Sequence, residues 1–185
     1  MAGNMGTRVI LTYRDYAALP ADGRRYELHE GELSVTPAPG LQHQRVVGGL
    51  YRLLSQHADA RGLGEVFVSP VDCILSDTTV VQPDIVYVES GRSSLLSARG
   101  IEGPPTLVVE VLSPSTAQID RGTKLQLYAR HGVPYYWIVD LEGQCIEAYV
   151  LGEGALGLAA RLDRGESGTL PPFADLVVVA TSLWP

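Results

Sequence analysis

Residues 107–112 read Leu-Val-Val-Glu-Val-Leu, a strand that is apolar on both faces except for one carboxylate. Period-two alternation puts Val108, Glu110 and Leu112 on one side and Leu107, Val109 and Val111 on the other. A strand of that kind belongs inside a sheet with cover on both faces, so the chain has to provide flanking strands and helices for it. Glu110 is the anomaly, because an ionised carboxylate at such a position is costly unless a cation, a metal or hydrogen bonds compensate. Asp84 poses the same question in VVQPDIVYV, surrounded by Val81, Ile85, Val86, Tyr87 and Val88. Pro83 cannot donate to a ladder, so the strand is expected to bulge or lose pairing there and to re-aim the Asp84 side chain.

The rest of the 185-residue chain supplies the cover. Thr12–Leu19 reads as a short helix capped by Thr12 and stopped by Pro20. Tyr26–His29 and Glu32–Thr36 flank Gly31 as a hairpin, and Pro37, Pro39 and Gly40 break the pattern. Leu41–Ala60 is the clearest helix. Val46, Val47, Leu50, Leu54 and Ala58 make one apolar stripe on which His43 and His57 also fall, and Gly62 and Gly64 end it. Glu65–Leu75 and Val80–Glu89, separated by a polar turn, predict an antiparallel pair. Ser90–Pro105 reads as a surface loop, Thr116–His131 as a second helix, Val133–Asp140 and Cys145–Leu151 as strands, and Asp175–Ala180 as a last strand. Strand, helix and strand from Thr106 to Asp140 have the length of a parallel crossover. No repeat or low-complexity tract divides the chain. The expected architecture is one α/β domain over residues 1–185, a mixed β-sheet core at about 41–140 flanked by helices, with an N-terminal hairpin.

Composition narrows the function classes. With 45% hydrophobic and 19% charged residues the chain is not disordered. Two cysteines, Cys73 and Cys145, make no disulfide scaffold and read as core thiols. Nothing before Val9 reads as a signal peptide, and no apolar run approaches the ~20 residues of a membrane span; a cytoplasmic chain without membrane contact is expected. The net charge of −7 argues against a general nucleic-acid coat. Of the 14 basic residues 13 are Arg, and Lys124 is the single Lys. Lys differs from Arg in that its pKa moves readily on burial, so it can orient or deprotonate a water.

If the strands carrying Asp84 and Glu110 are neighbours, the two carboxylates approach on one sheet face. There they repel and raise each other's pKa unless a divalent cation sits between them. Oxygen donors of this kind suit Mg2+ or Mn2+ better than Zn2+. The alternative is that Glu110 pairs with a buried Arg and Asp84 caps a bulge. Lys124, in the helix that follows the Glu110 strand, can reach back over the carboxylates; a helix-surface pair with Asp120, worth about 0.2–0.5 kcal/mol, can hold at the same time and does not decide its role.

The segments YELHEGEL, QHQRVVGGLYRLL, VQPDIVYV, VVEVLSPST and DRGTKLQLYARHGVPYYWIVD, in that order from about Tyr26 to Asp140, resemble the Uma-type restriction endonuclease family of the PD-(D/E)xK nuclease superfamily. The likeness extends loosely to PPFADL near the end. It implies a restriction-endonuclease-like fold and a metal-dependent phosphodiesterase acting on DNA. Pro83-Asp84 is similar to the "PD" element and Glu110 to the acid of "(D/E)xK", so that Mg2+ (or Mn2+) would be held by Asp84, Glu110 and the backbone carbonyl of Val111. The Lys that normally follows two residues after the acid is Leu112 here. The resemblance places a Lys in the following helix, where Lys124 stands as the water-orienting group. The accessory acid near the first core helix would be Glu27, with Glu32 the competing choice. His43 is either a polar neighbour of the site or a partly buried histidine of the helix start. Tyr128 and His131 read as packing, and Ser113 and Ser115 as the turn into the helix.

A second function class keeps the nuclease fold as a catalytically silent binding or regulatory module; the acidic balance and the scattered arginines favour it. A homodimer aligning Arg45, Arg52, Arg121 and Arg130 beside the cleft would supply the basic surface that a nuclease needs. A sugar hydrolase using paired carboxylates needs acids about 5–10 Å apart in an open cleft, and nothing in the sequence points specifically to one.

Overall fold

The computed structural model describes residues 9–184; residues 1–8, which carry most of the leader read above as unlike a signal peptide, lie outside them. Helix α1 (Tyr13–Ala17) starts at Thr12, whose amide and hydroxyl both bond the Asp15 carboxylate at 2.8 Å, a capping arrangement that satisfies a free helix-start donor. Strands β1 (Arg25–His29) and β2 (Glu32–Thr36) form the expected hairpin with Leu28 opposite Leu33. Its two-residue turn puts Glu30 and Gly31 at φ 51° and 86°, the left-handed pair that matches the twist of the flanking strands. Helix α2 (Leu41–Arg61) buries the whole stripe, with His43 and His57 on it, and ends at Gly62.

The two long strands expected next are each cut in two. β3 (Gly64–Val68) and β4 (Cys73–Ser76) are separated around Pro70, and β5 (Thr79–Val81) and β6 (Ile85–Glu89) around Pro83. A proline has no amide for the ladder, and at these two points the chain leaves one sheet for another: β3 pairs antiparallel with β6, and β4 with β5. Residues 90–105 are not a plain surface loop. A 3-10 turn (Ser90–Leu95) leads into β7 (Leu96–Ser97) and β8 (Gly100–Glu102), which runs parallel to β4 and buries Ile101. Strand β9 (Leu107–Val111) is followed by a helical segment, residues 117–130, made of α3 (Ala117–Ile119), a π turn (Asp120–Lys124) and α4 (Leu125–Arg130). Strands β10 (Tyr135–Asp140), β11 (Cys145–Gly152), β12 (Ala155–Asp163), β13 (Ser167–Leu170) and β14 (Phe173–Val179) complete the order.

The strands make two mixed sheets and a ribbon rather than one sheet. The first runs β2-β1-β5-β4-β8-β7, the second β12-β11-β10-β9-β6-β3, and β13 pairs with β14. β9 is internal, parallel to β10 and antiparallel to β6, as its two apolar faces require. Leu107, Val109 and Val111 pack with the α2 stripe, Trp137, Val139 and residues of the ribbon. Val108 and Leu112 join the opposite cluster with Leu127, Tyr128, Tyr136 and Ile138, together with Cys73, Val81 and Ile101 of the first sheet. Cys73 and Cys145 are free and buried.

Gly64 begins β3 at φ 147°, and a Cβ there would lie 2.1 Å from the Val88 carbonyl oxygen. Gly64→Ala is therefore expected to lose about 1–3 kcal/mol, read as a lower urea midpoint; an unchanged midpoint would mean that β3 can shift against β6 at no cost.

Candidate active site

The interruption at Gln82-Pro83-Asp84 is the seam between the two sheets, and the polar side chains gather along it. Asp84 is buried and aims its carboxylate at the end of β9: Oδ2 accepts the Val111 amide at 2.9 Å and lies 3.1 Å from His43 Nε2. Its other oxygen accepts from Arg25 Nη1 at 3.3 Å, and the same guanidinium donates to the Gln82 carbonyl. Arg25, Glu27 and His29 have the same parity on β1. Glu27 is buried; Oε1 accepts the Gln82 amide at 2.8 Å, and Oε2 lies 3.2 Å from His29 Nε2. The competing acid, Glu32, is exposed on β2, so Glu27 is the one the hairpin places in the cluster.

Lys124 reaches Glu27 and Glu110 from the π turn. Its ammonium lies 2.9 Å from Glu110 Oε1, 3.1 Å from Glu27 Oε1 and 3.5 Å from Asp120 Oδ1, and it is 5% exposed. The Asp120 pair and the reach over the carboxylates hold together, the pair being buried rather than on the surface, and the buried partner of Glu110 is Lys124 rather than an Arg. Asp120 and Lys124 are both buried in a turn one residue wider than an α turn, a local irregularity that often marks functional segments of helices. Tyr128, expected as packing, belongs to the cluster: its hydroxyl donates to Glu110 Oε1 at 2.7 Å. His131 lies half-buried at the end of α4. Ser113 turns the chain, its carbonyl accepting the amides of Thr116 and Ala117.

The cleft beside the cluster has a volume of about 210 Å3. Arg25, His43, Asp84, Glu110, Val111, Asp120 and Lys124 line it, and residues 36–40 and 113–116 form its walls. Charges inside it are strongly perturbed. Burial works against an ionised Glu27, but the Lys124 ammonium, His29 and the Gln82 amide outweigh it and hold the carboxyl well below the usual range. Burial likewise opposes ionisation of Asp84, and His43, the Val111 amide and Arg25 bring it down. Glu110 goes the other way: burial pushes it up to about 8, Lys124 resisting and Asp120, Asp84 and Glu27 adding to the rise. Burial disfavours the Lys124 charge, yet Glu110, Glu27 and Asp120 hold the ammonium above its ordinary range. The ammonium therefore keeps its proton at neutral pH, opposite to the depression that burial alone would bring.

The donor set fits a hard divalent cation. Four carboxyls, Glu27, Asp84, Glu110 and Asp120, stand against the permanently charged Lys124 and Arg25; burial is the main cause of the raised Glu110, and the neighbouring carboxylates add to it. His43 Nδ1 is buried without a hydrogen-bond partner among the described residues. Among the described residues no three His, Cys, Asp or Glu side chains are gathered as a ready metal cluster; protein cations hold the carboxylates instead.

A mixed sheet whose internal strand carries an acid near an Asp at a strand break, with a helix-borne lysine bonded to that acid, defines a restriction-endonuclease-like core. The chain belongs to the Uma2 family, described as "putative restriction endonuclease", whose model matches residues 13–181. A solved structure described as a putative nuclease belonging to DUF820, from Anabaena variabilis ATCC 29413, is similar over 94% of this chain and 97% of that one, with a TM-score of 0.78 and 19% identity. No curated protein matches. No helix of the described residues is long and apolar enough to cross a membrane.

Proposed function

We propose that this chain is a Mg2+- or Mn2+-dependent endonuclease that hydrolyses phosphodiester bonds of DNA. The observation that carries the proposal is Lys124: with Leu112 buried in the core at the position where a lysine is expected, the single lysine of the chain lands 2.9 Å from Glu110 in a cleft that Asp84 also lines. Asp84, Glu110 and the Val111 carbonyl would hold the cation. When bound, the ion lowers the pKa of a coordinated water and offsets charge on the phosphate in flight. Lys124, kept charged by Glu27, donates a hydrogen bond that orients the attacking water. His43 and Arg25 fix the Asp84 carboxylate, and the walls 36–40 and 113–116 restrict entry to the cleft.

Plasmid nicking measured with and without Mn2+ tests the proposal. Wild type is expected to nick only with the ion, and Asp84→Ala to lose at least about 100-fold; equal nicking by both would overturn it. One observation favours the silent module. Arg24, Arg61, Arg92, Arg99, Arg121, Arg130 and Arg161 are all ion-paired away from the cleft. Arg45 and Arg52 are exposed, but at 100° per residue they project about 180–200° away from His43 on α2. Arg121 and Arg130, counted above toward a basic groove, are taken up by Asp140, Glu147 and Glu30. Mn2+ binding without nicking of any DNA form would select that reading.

A further inference from the structure

Asp120, Lys124 and Tyr128 recur every four residues and share one helix face. Two of them donate to a single atom: Lys124 Nζ at 2.9 Å and the Tyr128 hydroxyl at 2.7 Å both bond Glu110 Oε1. The other oxygen of Glu110 takes no hydrogen bond from the described residues, and Glu110 lines the cleft. Tyr128 is fully buried, with its ring 4.9 Å from that of Tyr136, so its hydroxyl has little freedom to leave Glu110. We infer that Tyr128 is a positioning residue: together with Lys124 it ties down Oε1, so that Glu110 takes a divalent cation through its second oxygen alone. The inference rests on the metal-dependent reading of the site. Without the hydroxyl the carboxylate is free to turn both oxygens toward Lys124 or toward the ion, and outer-shell partners of this kind are worth about 10–100-fold in metal affinity.

Calorimetric titration with Mn2+ of wild type, Tyr128→Phe and Tyr136→Phe tests it. Tyr136 is an equally buried tyrosine whose hydroxyl serves the Asp120 carbonyl at 3.1 Å. Tyr128→Phe is expected to bind Mn2+ at least about 10-fold more weakly, and Tyr136→Phe to bind like wild type. Equal affinity in all three, or equal weakening in both variants, overturns the inference. Absence of Mn2+ binding by wild type overturns the metal-dependent reading itself, and the inference falls with it. A readout in the unaltered protein covers poor folding of Tyr128→Phe. In the infrared difference spectrum with and without Mn2+, the glutamate carboxylate bands, told from those of Asp84 by their shift on 13C-glutamate labelling, should show the wide splitting of a one-oxygen ligand. The narrow splitting of a two-oxygen ligand would overturn the proposal.

Discussion

Lys124→Met is expected to destabilise the metal-free protein by about 3–5 kcal/mol at neutral pH, the usual consequence of stripping the partner from buried charges. The lysine is the counter-charge of the ionised Glu27 and also lies against Asp120 and against Glu110, which keeps its proton at pH 7, and a thioether of similar length fills its space without neutralising Glu27. Guanidinium unfolding at pH 7 measures the effect; a midpoint equal to that of wild type would mean that the carboxyls stay neutral in the fold and the ammonium is dispensable. Lys124→Arg separates charge from geometry. Its planar fork cannot replace a compact ammonium lying 2.9 and 3.1 Å from two acids. The variant is expected to fold, bind Mn2+ and nick DNA at least about 100-fold more slowly than wild type, a loss typical of a removed transition-state donor. Normal nicking by Lys124→Arg would take the water-orienting role away from this residue.

Glu110→Gln is expected to have the opposite effect on stability. The carboxyl titrates at about 8 in the folded chain against an ordinary 4.5. Below pH 4.5 it is protonated in both states and costs the fold nothing. Between pH 4.5 and about 8 the unfolded chain gives up the proton and the folded chain keeps it, so the native state loses stability; above 8 the loss is complete. Glutamine escapes that loss, still accepts from Lys124 and Tyr128, and should make the variant more stable than wild type by a margin that grows across this window to about 2–5 kcal/mol. Saturating Mn2+ should raise the melting temperature of wild type alone, since only the carboxylate holds the ion. Parallel stability curves for the two proteins from pH 5 to 9 would show that Glu110 ionises in the fold as it does outside it.

Much of this site is legible in the chain because isolated carboxylates in apolar strands have few explanations. The alternation around Glu110 holds atom for atom: Val108 and Leu112 fall in one core cluster and Leu107, Val109 and Val111 in the other. Pro83 marks the break that aims Asp84, although the amide it lacks does more than bulge the strand; it moves the chain between sheets. Lys124 is found by its singularity and by the missing lysine at Leu112. What sequence hides is the order of strands in the sheet. Glu27 and Glu32 share one face of the hairpin, through the Glu27–Ser34 and His29–Glu32 pairs; Glu27 is the inward acid because β1 lies between β2 and β5 while β2 is the sheet edge, which no local pattern encodes. Arg25, on the same strand and face as Glu27, was invisible for the same reason. Tyr128 reads as packing because an aromatic at helical spacing usually is, and only its hydroxyl distance distinguishes it. The π turn adds one residue to a turn without any mark in composition. β12 and β13 escaped because ALGLAARLD and SGTL are rich in Gly, Ala and polar residues, without the β-branched runs that announce a strand.

The seam between the sheets also orders events in time. Glu27 and Lys124 stand 97 positions apart, and closing so long a loop is among the slower steps of folding. Glu27 and Glu110 leave the ribosome before Lys124 does, and only when the helical segment docks does one ammonium bond both. The lysine thus ties the first sheet to the second late in synthesis, and the same contact completes the proposed hydrolytic centre. A chain interrupted before residue 124 holds neither, so maturation of the fold and arming of the cleft are one event.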